Sequence, residues 1–371
     1  MTEPEPAIAP SVPDSHSTGP SRIYIEGDML FAAMLAAINA ARHSIKLESY
    51  IFADDEIGRE FAAALGARAQ AGVQVLMNID AAGSLFWASH SLERALKAQG
   101  IKLRWFHGWS WRQPWRYNQR NHRKILVVDG RVGFLGGFNI HRENSHRIFG
   151  DARWRDTHVE VTGELAHALQ ILFDAFWRRQ SRRYPFIMMR NGDALVSNYS
   201  RRGRQFLRSL YGAKFATAKQ RIWLSTPYFI PDYGTQHGLM RAAQRGVDVR
   251  LLVPRKNDVR IAQWAAHAAY EPLLHAGVKI HEYLPRMLHT KTSVIDGEWS
   301  TVGSANIDYR SFFVNYEINL VSVQPGFAAE LEHQFQADLL QSDQIMPSRW
   351  ARRALIRRLL EVIGWAVRRW L

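Results

Sequence analysis

Two histidine–lysine pairs far apart in the chain are the residues best suited to chemistry. His122-x-Lys124-x4-Asp129 reads HRKILVVD, and His289-x-Lys291-x4-Asp296 reads HTKTSVID. Fourteen residues after each His a small-residue turn begins and runs to an Asn: Gly136-Gly137-Phe138-Asn139, then Gly303-Ser304-Ala305-Asn306. Two copies of one pattern with the same downstream spacing point to two homologous halves, each bringing a His, a Lys and an Asn to one place. One imidazole can attack phosphorus while a second protonates the leaving oxygen. Two ammonium groups can neutralise the non-bridging oxygens, and two carboxamides can donate hydrogen bonds to them. The set suits a phosphodiester held between two half-sites, and no metal-ligand cluster in the sequence offers to do that work instead.

Each pair needs a strand to aim it. Side chains two apart on a strand share a face, so His122 and Lys124 point the same way. Asp129 has the opposite parity and precedes Gly130, and Asp-Gly between apolar runs signals a hairpin turn. Ile295-Asp296-Gly297-Glu298 repeats that turn. The residues themselves therefore read Asp129 and Asp296 as structural. Two further segments, Arg155–Val159 and Asn315–Asn319, read as strands, and each carries one acid, Asp156 or Glu317, at the matching point of its half.

The duplicated HxKxxxxD resembles the defining motif of the phospholipase D superfamily. The stretches Glu48-Ser49-Tyr50-Ile51-Phe52, Asp80–Ser84, Asn121–Lys124 and Thr301–Glu317 look like those of bacterial cardiolipin synthases, in particular a shorter form without amino-terminal membrane spans. The resemblance covers about residues 22–340. It implies transfer of a phosphatidyl group from one phosphatidylglycerol to the hydroxyl of another, giving cardiolipin and glycerol without metal or organic cofactor. It implies a phospho-histidine intermediate, with attack assigned to His122 and acid–base work to His289. It brings Asp129 and Asp296 into the catalytic set with Asn139 and Asn306. It gives Asp156 and Glu317 the task of orienting an imidazole. Gly137 and Ser304, which differ between the halves, are both expected at the substrate, with the Ser hydroxyl contacting it in one half only.

The duplication extends beyond the motif. Ser44–Phe52 resembles Arg221–Phe229, and both lead through a helix to a Gly-Val strand at Gly72 or Gly246. Strands alternating with helices argue an α/β fold with mainly parallel pairing, made mixed by the hairpins. The expected architecture is two phospholipase D-like halves related by a pseudo-two-fold axis, with one active site at their interface. Residues 1–20 read as a disordered tail, 21–190 as the first half, 191–345 as the second, and 346–371 as a basic amphipathic helix.

The chain has 371 residues, 47% of them hydrophobic, no Cys and a net charge of +14. That charge calls for an anionic partner: an anionic phospholipid surface or nucleic acid. No apolar run approaches the ~20 residues of a spanning helix, so a peripheral protein on the cytoplasmic face of the inner membrane is expected. The loop carrying Trp109, Trp111 and Trp115 mixes aromatics with Arg. It suits a membrane interface, stacking on single-stranded nucleic acid, or a packed lid. From Arg349 on, Arg352, Arg353, Arg357 and Arg368 trace one helical stripe, and Leu355, Leu359, Ile363 and Trp370 another. Together with Trp365 they are expected to form an interfacial anchor, which is favoured over a helix packed on the globule. Other readings of the whole are a hydrolytic phospholipase D, a nucleic-acid phosphodiesterase and an inactive lipid-binding scaffold.

Overall fold

A computed structural model describes residues 20–179 and 186–368. The expected tail, apart from Pro20, and Trp370 lie outside the described residues.

The first half runs β1 (Pro20–Tyr24), α1 (Gly27–Ala40), β2 (Ser44–Ser49), α2 (Glu56–Gln70), β3 (Gln74–Asp80), α3 (His90–Ala98), β4 (Lys102–Phe106), β5 (Ile125–Val128), β6 (Val132–Gly136), α4 (His146–Phe149), β7 (His158–Thr162) and α5 (Gly163–Trp177). The chain continues with β8 (Phe186–Met188), β9 (Ala194–Ser197), α6 (Arg201–Thr217), β10 (Arg221–Ser225), β11 (Phe229–Ile230), α7 (Tyr233–Gln244), β12 (Asp248–Pro254), α8 (Arg260–His275) and β13 (Lys279–Tyr283). It closes with β14 (Thr292–Ile295), β15 (Trp299–Gly303), β16 (Ile307–Asp308), α9 (Tyr309–Phe313), β17 (Ile318–Ser322), α10 (Pro325–Leu339), β18 (Ser342–Gln344), α11 (Pro347–Ala351) and α12 (Leu355–Val367).

The duplication reappears as topology. One sheet is ordered β1-β7-β6-β5-β2-β3-β4, and the other contains β9-β17-β15-β14-β10-β12-β13 in the matching order. Strands β8 and β18 extend the second sheet at its two edges, so pairing in that sheet already begins at Phe186. In each half three strands are parallel and the hairpin strands run against them. Strand β5 buries both faces. Leu126 and Val128 face the core under α1 and α2, while Ile125 and Val127 face a second core shared with Val294, Val302, Ile318 and Leu320 of the other half. A strand buried on both sides reads as a continuous apolar run, as Ile125–Val128 does. Helices α5 and α10 also contribute to this shared core, which joins the two sheets.

The two histidine–lysine pairs lie just outside regular strand. His122 and Lys124 precede β5, and His289 and Lys291 precede β14. Each lead-in segment leaves its own sheet and pairs once with the other half, Asn121 with Tyr316 and Leu288 with Arg155.

The C-terminal segment departs from expectation. It is two helices, not one, with a break at Arg352–Ala354. The break turns Arg353 inward, where it pairs with Glu271 at 2.7 Å and Glu361 at 2.7 Å. Gly364 packs so close to α8 that an added Cβ would lie 2.5 Å from the Ala265 nitrogen. Trp365 turns half-buried toward the second half's core. Arg353 and Trp365 are thereby removed from the expected membrane-binding set. Arg352 and Arg357 are exposed, as are Leu355, Ile356, Leu359, Val362 and Ile363. The helix is thus docked by its Glu361–Gly364 face, with its apolar face outward. Trp109 and Trp111 are exposed, and the side chain of Trp115 lies outside the described ones. No described helix is long and apolar enough to cross a membrane.

Candidate active site

The two half-sites meet in one cleft of about 240 Å³, lined by His122, Asn139, His289 and Asn306 and walled by Tyr50, Trp154 and Tyr228. Each imidazole is held by the acid of the opposite half. His122 Nδ1 lies 3.0 and 3.1 Å from the Glu317 carboxylate oxygens, and His289 Nδ1 lies 2.5 Å from Asp156 Oδ2. The cross-half backbone bonds set this up. His122 N donates to Tyr316 O at 2.9 Å, and His289 N donates to Arg155 O at 2.7 Å. The residue after each acceptor is the acid. With Nδ1–H directed at a carboxylate, Nε2 keeps its lone pair and is the ring nitrogen available to the cleft.

Burial depresses both imidazoles. His289 is lowered to about 3, by desolvation and the nearby Lys291 charge against the pull of Asp156. His122 is lowered by desolvation, with Glu317 opposing. The free site therefore holds two neutral rings at neutral pH. Lys124 lies well below its ordinary value through burial and Lys291, and Lys291 falls to about 8 through burial. An anionic substrate between them favours the charged form of all four groups. Lys124 Nζ donates to His122 O at 2.7 Å, and Lys291 Nζ donates likewise to His289 O and stands 2.9 Å from its Nδ1. Asn139 Oδ1 accepts from Ile51 N at 3.1 Å, which leaves its NH2 group as the donor for the cleft.

The motif acids are elsewhere. Asp129 accepts the amides of Arg42, His43 and Ser44 at 2.7–2.8 Å, and Asp296 those of Lys219, Gln220 and Arg221 at 2.8–2.9 Å. Both have positive φ, 53° and 54°, followed by glycines at 66° and 71°, the conformation a type I′ turn requires. Each pins a hairpin to the chain entering β2 or β10. Burial raises these carboxyls, but three amide donors outweigh it and hold them below the usual range. Their place in the catalytic set, brought in by resemblance, is corrected to a structural one.

The substrate contacts expected of Gly137 and Ser304 are also corrected. Ser304 Oγ is buried and donates to Glu317 Oε2 at 2.6 Å. A Cβ at Gly137 would sit 2.0 Å from Asp156 Oδ1. The two positions shape the seats of the two acids. Asp156 is not neutralised by its neighbours in sequence. Arg155 is buried against Asp338 at 2.9 Å, and Arg153 pairs with Glu26 at 2.6 Å. Burial raises Asp156, and Lys291, then His289, bring it net below its ordinary value.

Several positioning residues escaped the sequence reading. Glu48 pairs with Arg123 at 3.1 Å, and Asp80 accepts from Asn121 N at 2.8 Å, all of them buried. Ser311 Oγ donates to Glu317 Oε1 at 3.0 Å. A charged residue inside an apolar strand, as Glu48 is, was the available signal.

The family described as "Cardiolipin synthase, PLD-like domain" matches residues 34–177 and 212–339. The chain belongs to this family. It is an enzyme of the phospholipase D superfamily. It is 36% identical over 361 residues to "Cardiolipin synthase 2" of Bacillus anthracis, covering 92% of this chain and 68% of that protein. It is 36% identical over 335 residues to "Cardiolipin synthase A" of Pseudomonas aeruginosa (strain UCBPP-PA14), covering 88% and 68%. Its fold is shared with the crystal structure of phosphatidylserine synthase from Haemophilus influenzae Rd KW20. The TM-score is 0.70 at 14% identity, over 94% of this chain and 95% of that one.

Proposed function

We propose that this enzyme is a phosphatidyltransferase that makes cardiolipin and glycerol from two phosphatidylglycerol molecules. The observation carrying the reading is the pair of imidazoles facing one cleft, each tied through Nδ1 to a carboxylate of the other half. His122 Nε2 attacks the phosphorus of the donor. The bond to the glycerol oxygen breaks, that oxygen takes the Nε2 proton that His289 gains from solvent as the anionic donor binds, and glycerol leaves. The hydroxyl of the acceptor lipid then gives its proton to His289 and attacks the phosphorus, and the phosphorus–nitrogen bond breaks. Lys124, Lys291 and the two Asn amides balance the charge on the non-bridging oxygens.

The lipid is reached from a membrane surface on the cytoplasmic side of the inner membrane. The exposed apolar face of α12, beside exposed Arg352 and Arg357, supports the contact with a membrane surface. Vesicles of labelled phosphatidylglycerol test the reading. Cardiolipin as the product supports it. Phosphatidic acid alone would make the enzyme a hydrolase, and no lipid product would end the proposal.

A further inference from the structure

A second cavity is larger than the catalytic cleft. It has a volume of about 760 Å³ and lies along the seam between the halves, among β4, the end of α5 and the start of α6. Six arginines line it: Arg104, Arg116, Arg179, Arg201, Arg202 and Arg204. No acid lines it. Other described arginines, such as Arg123 and Arg155, are paired with carboxylates. None of these six stands in an ion pair among the described residues. Burial, with the charge of Arg179, lowers Arg104. A fold that gathers six cations without counter-ions pays for their repulsion unless an anion is present. The first turn of α6 adds its free amide ends, since Ser200 caps only the amide of Gly203. A separate feature refines the ligand. Asn78 is buried and lines the same cavity, and its Oδ1 has no hydrogen-bond partner. A hydroxyl beside the anion would supply the missing donor.

We propose that this cavity binds a phosphate ester bearing a free hydroxyl, such as a glycerol phosphate group, with the arginines on the phosphate and Asn78 on the hydroxyl. The site is distinct from the catalytic cleft and stands whatever reaction the cleft performs. Its floor includes Tyr316, whose backbone oxygen holds His122 N, so an occupant touches the residue beside Glu317.

Calorimetric titration of the full chain tests it, with glycerol 3-phosphate, inorganic phosphate and short-chain phosphatidylglycerol below its micelle threshold as probes. R201Q/R202Q/R204Q should weaken glycerol 3-phosphate or the lipid by about tenfold or more. R94Q/R131Q/R241Q removes the same charge from surface positions outside the cavity and should cost less than about twofold. Should the first variant fail to fold, R204Q alone should still weaken binding. N78A should weaken the hydroxyl-bearing probes and spare inorganic phosphate. Binding of the lipid alone identifies a headgroup as the source, and binding of both hydroxyl-bearing probes identifies the ester itself. Equal losses in the two triple variants would overturn the site. So would loss on K291M with none on the pocket variants, which would place the anion in the cleft. Displacement of the probes by an oligonucleotide that binds with a steeper salt dependence would make it a nucleic-acid surface instead.

Discussion

The two half-sites differ at the level of single atoms, and the differences compensate. Asp156 is short and needs the empty space at Gly137, while Glu317 is longer and is clamped by the hydroxyls of Ser304 and Ser311. Lys291 sits against His289 Nδ1, whereas Lys124 reaches only the backbone of His122. Unequal seats suit unequal roles for the two rings. Labelled lipid should be trapped covalently on H289A and not on H122A. The reverse result would exchange the roles, and an absence of adduct on both, with an active wild type, would end the covalent mechanism. Glu317→Gln keeps the shape and removes the charge that supports an imidazolium, so kcat should fall by about a hundredfold or more. Asp129→Asn should behave differently. It weakens three amide contacts remote from the cleft and should cost about 1–3 kcal/mol of stability. Turnover per folded molecule should stay near wild type, and a loss of turnover larger than the loss of folded protein would return Asp129 to the chemistry.

Among the elements, α12 shows how far a helical pattern can be read. Its two stripes were legible from spacing, and so was its basic character. Which stripe faces the globule was not, because that depends on the partner surface of α8. There Gly364 allows close backbone approach, and Glu271 waits for Arg353. The outward apolar face predicts that Leu359→Asp with Val362→Asp will release the protein from anionic vesicles without lowering its melting temperature. Cosedimentation unchanged from wild type would sink the anchor and leave the Trp109–Trp111 loop as the next candidate. The strands were more legible. Their alternation, the Asp-Gly turns and the repeated strand–helix–strand order all follow from local sequence, and the two sheets carry matching orders. The position of His122 and His289 just outside regular strand was not readable. It arises from pairing with the other half, a contact some 130 to 200 residues away in sequence.

At the scale of the whole molecule, neither half can work alone. Each imidazole takes its carboxylate from the opposite half, and the shared core of β5–β7 with β14, β15 and β17 holds that exchange in register. The arrangement buries titratable groups in the seam, and it has a consequence for pH. His141, His158 and His289 are all buried, and desolvation lowers each to about 3, while His122 is lowered in the same sense. In the unfolded chain each would titrate near pH 6.5. Between those limits the unfolded chain binds more protons at these rings than the folded one, so their contribution to stability is full above about pH 6.5 and is lost with acidification. Each fully buried ring adds a slope of up to about 1.4 kcal/mol per pH unit once the pH is below the unfolded value. Carboxylates held low, such as Asp129 and Asp156, add their own loss only further down, as the pH approaches their depressed folded values. In denaturant titrations these rings should therefore lower stability from about pH 6.5, against the opposite contribution of Asp308, whose carboxyl is raised to about 6 by burial. His158→Gln, which removes one such ring, should flatten that decline even if it lowers stability at neutral pH. If His158→Gln left the slope between pH 7 and 5 unchanged, the His158 ring would not be held neutral, and the burial argument for two neutral rings in the resting cleft would lose its support.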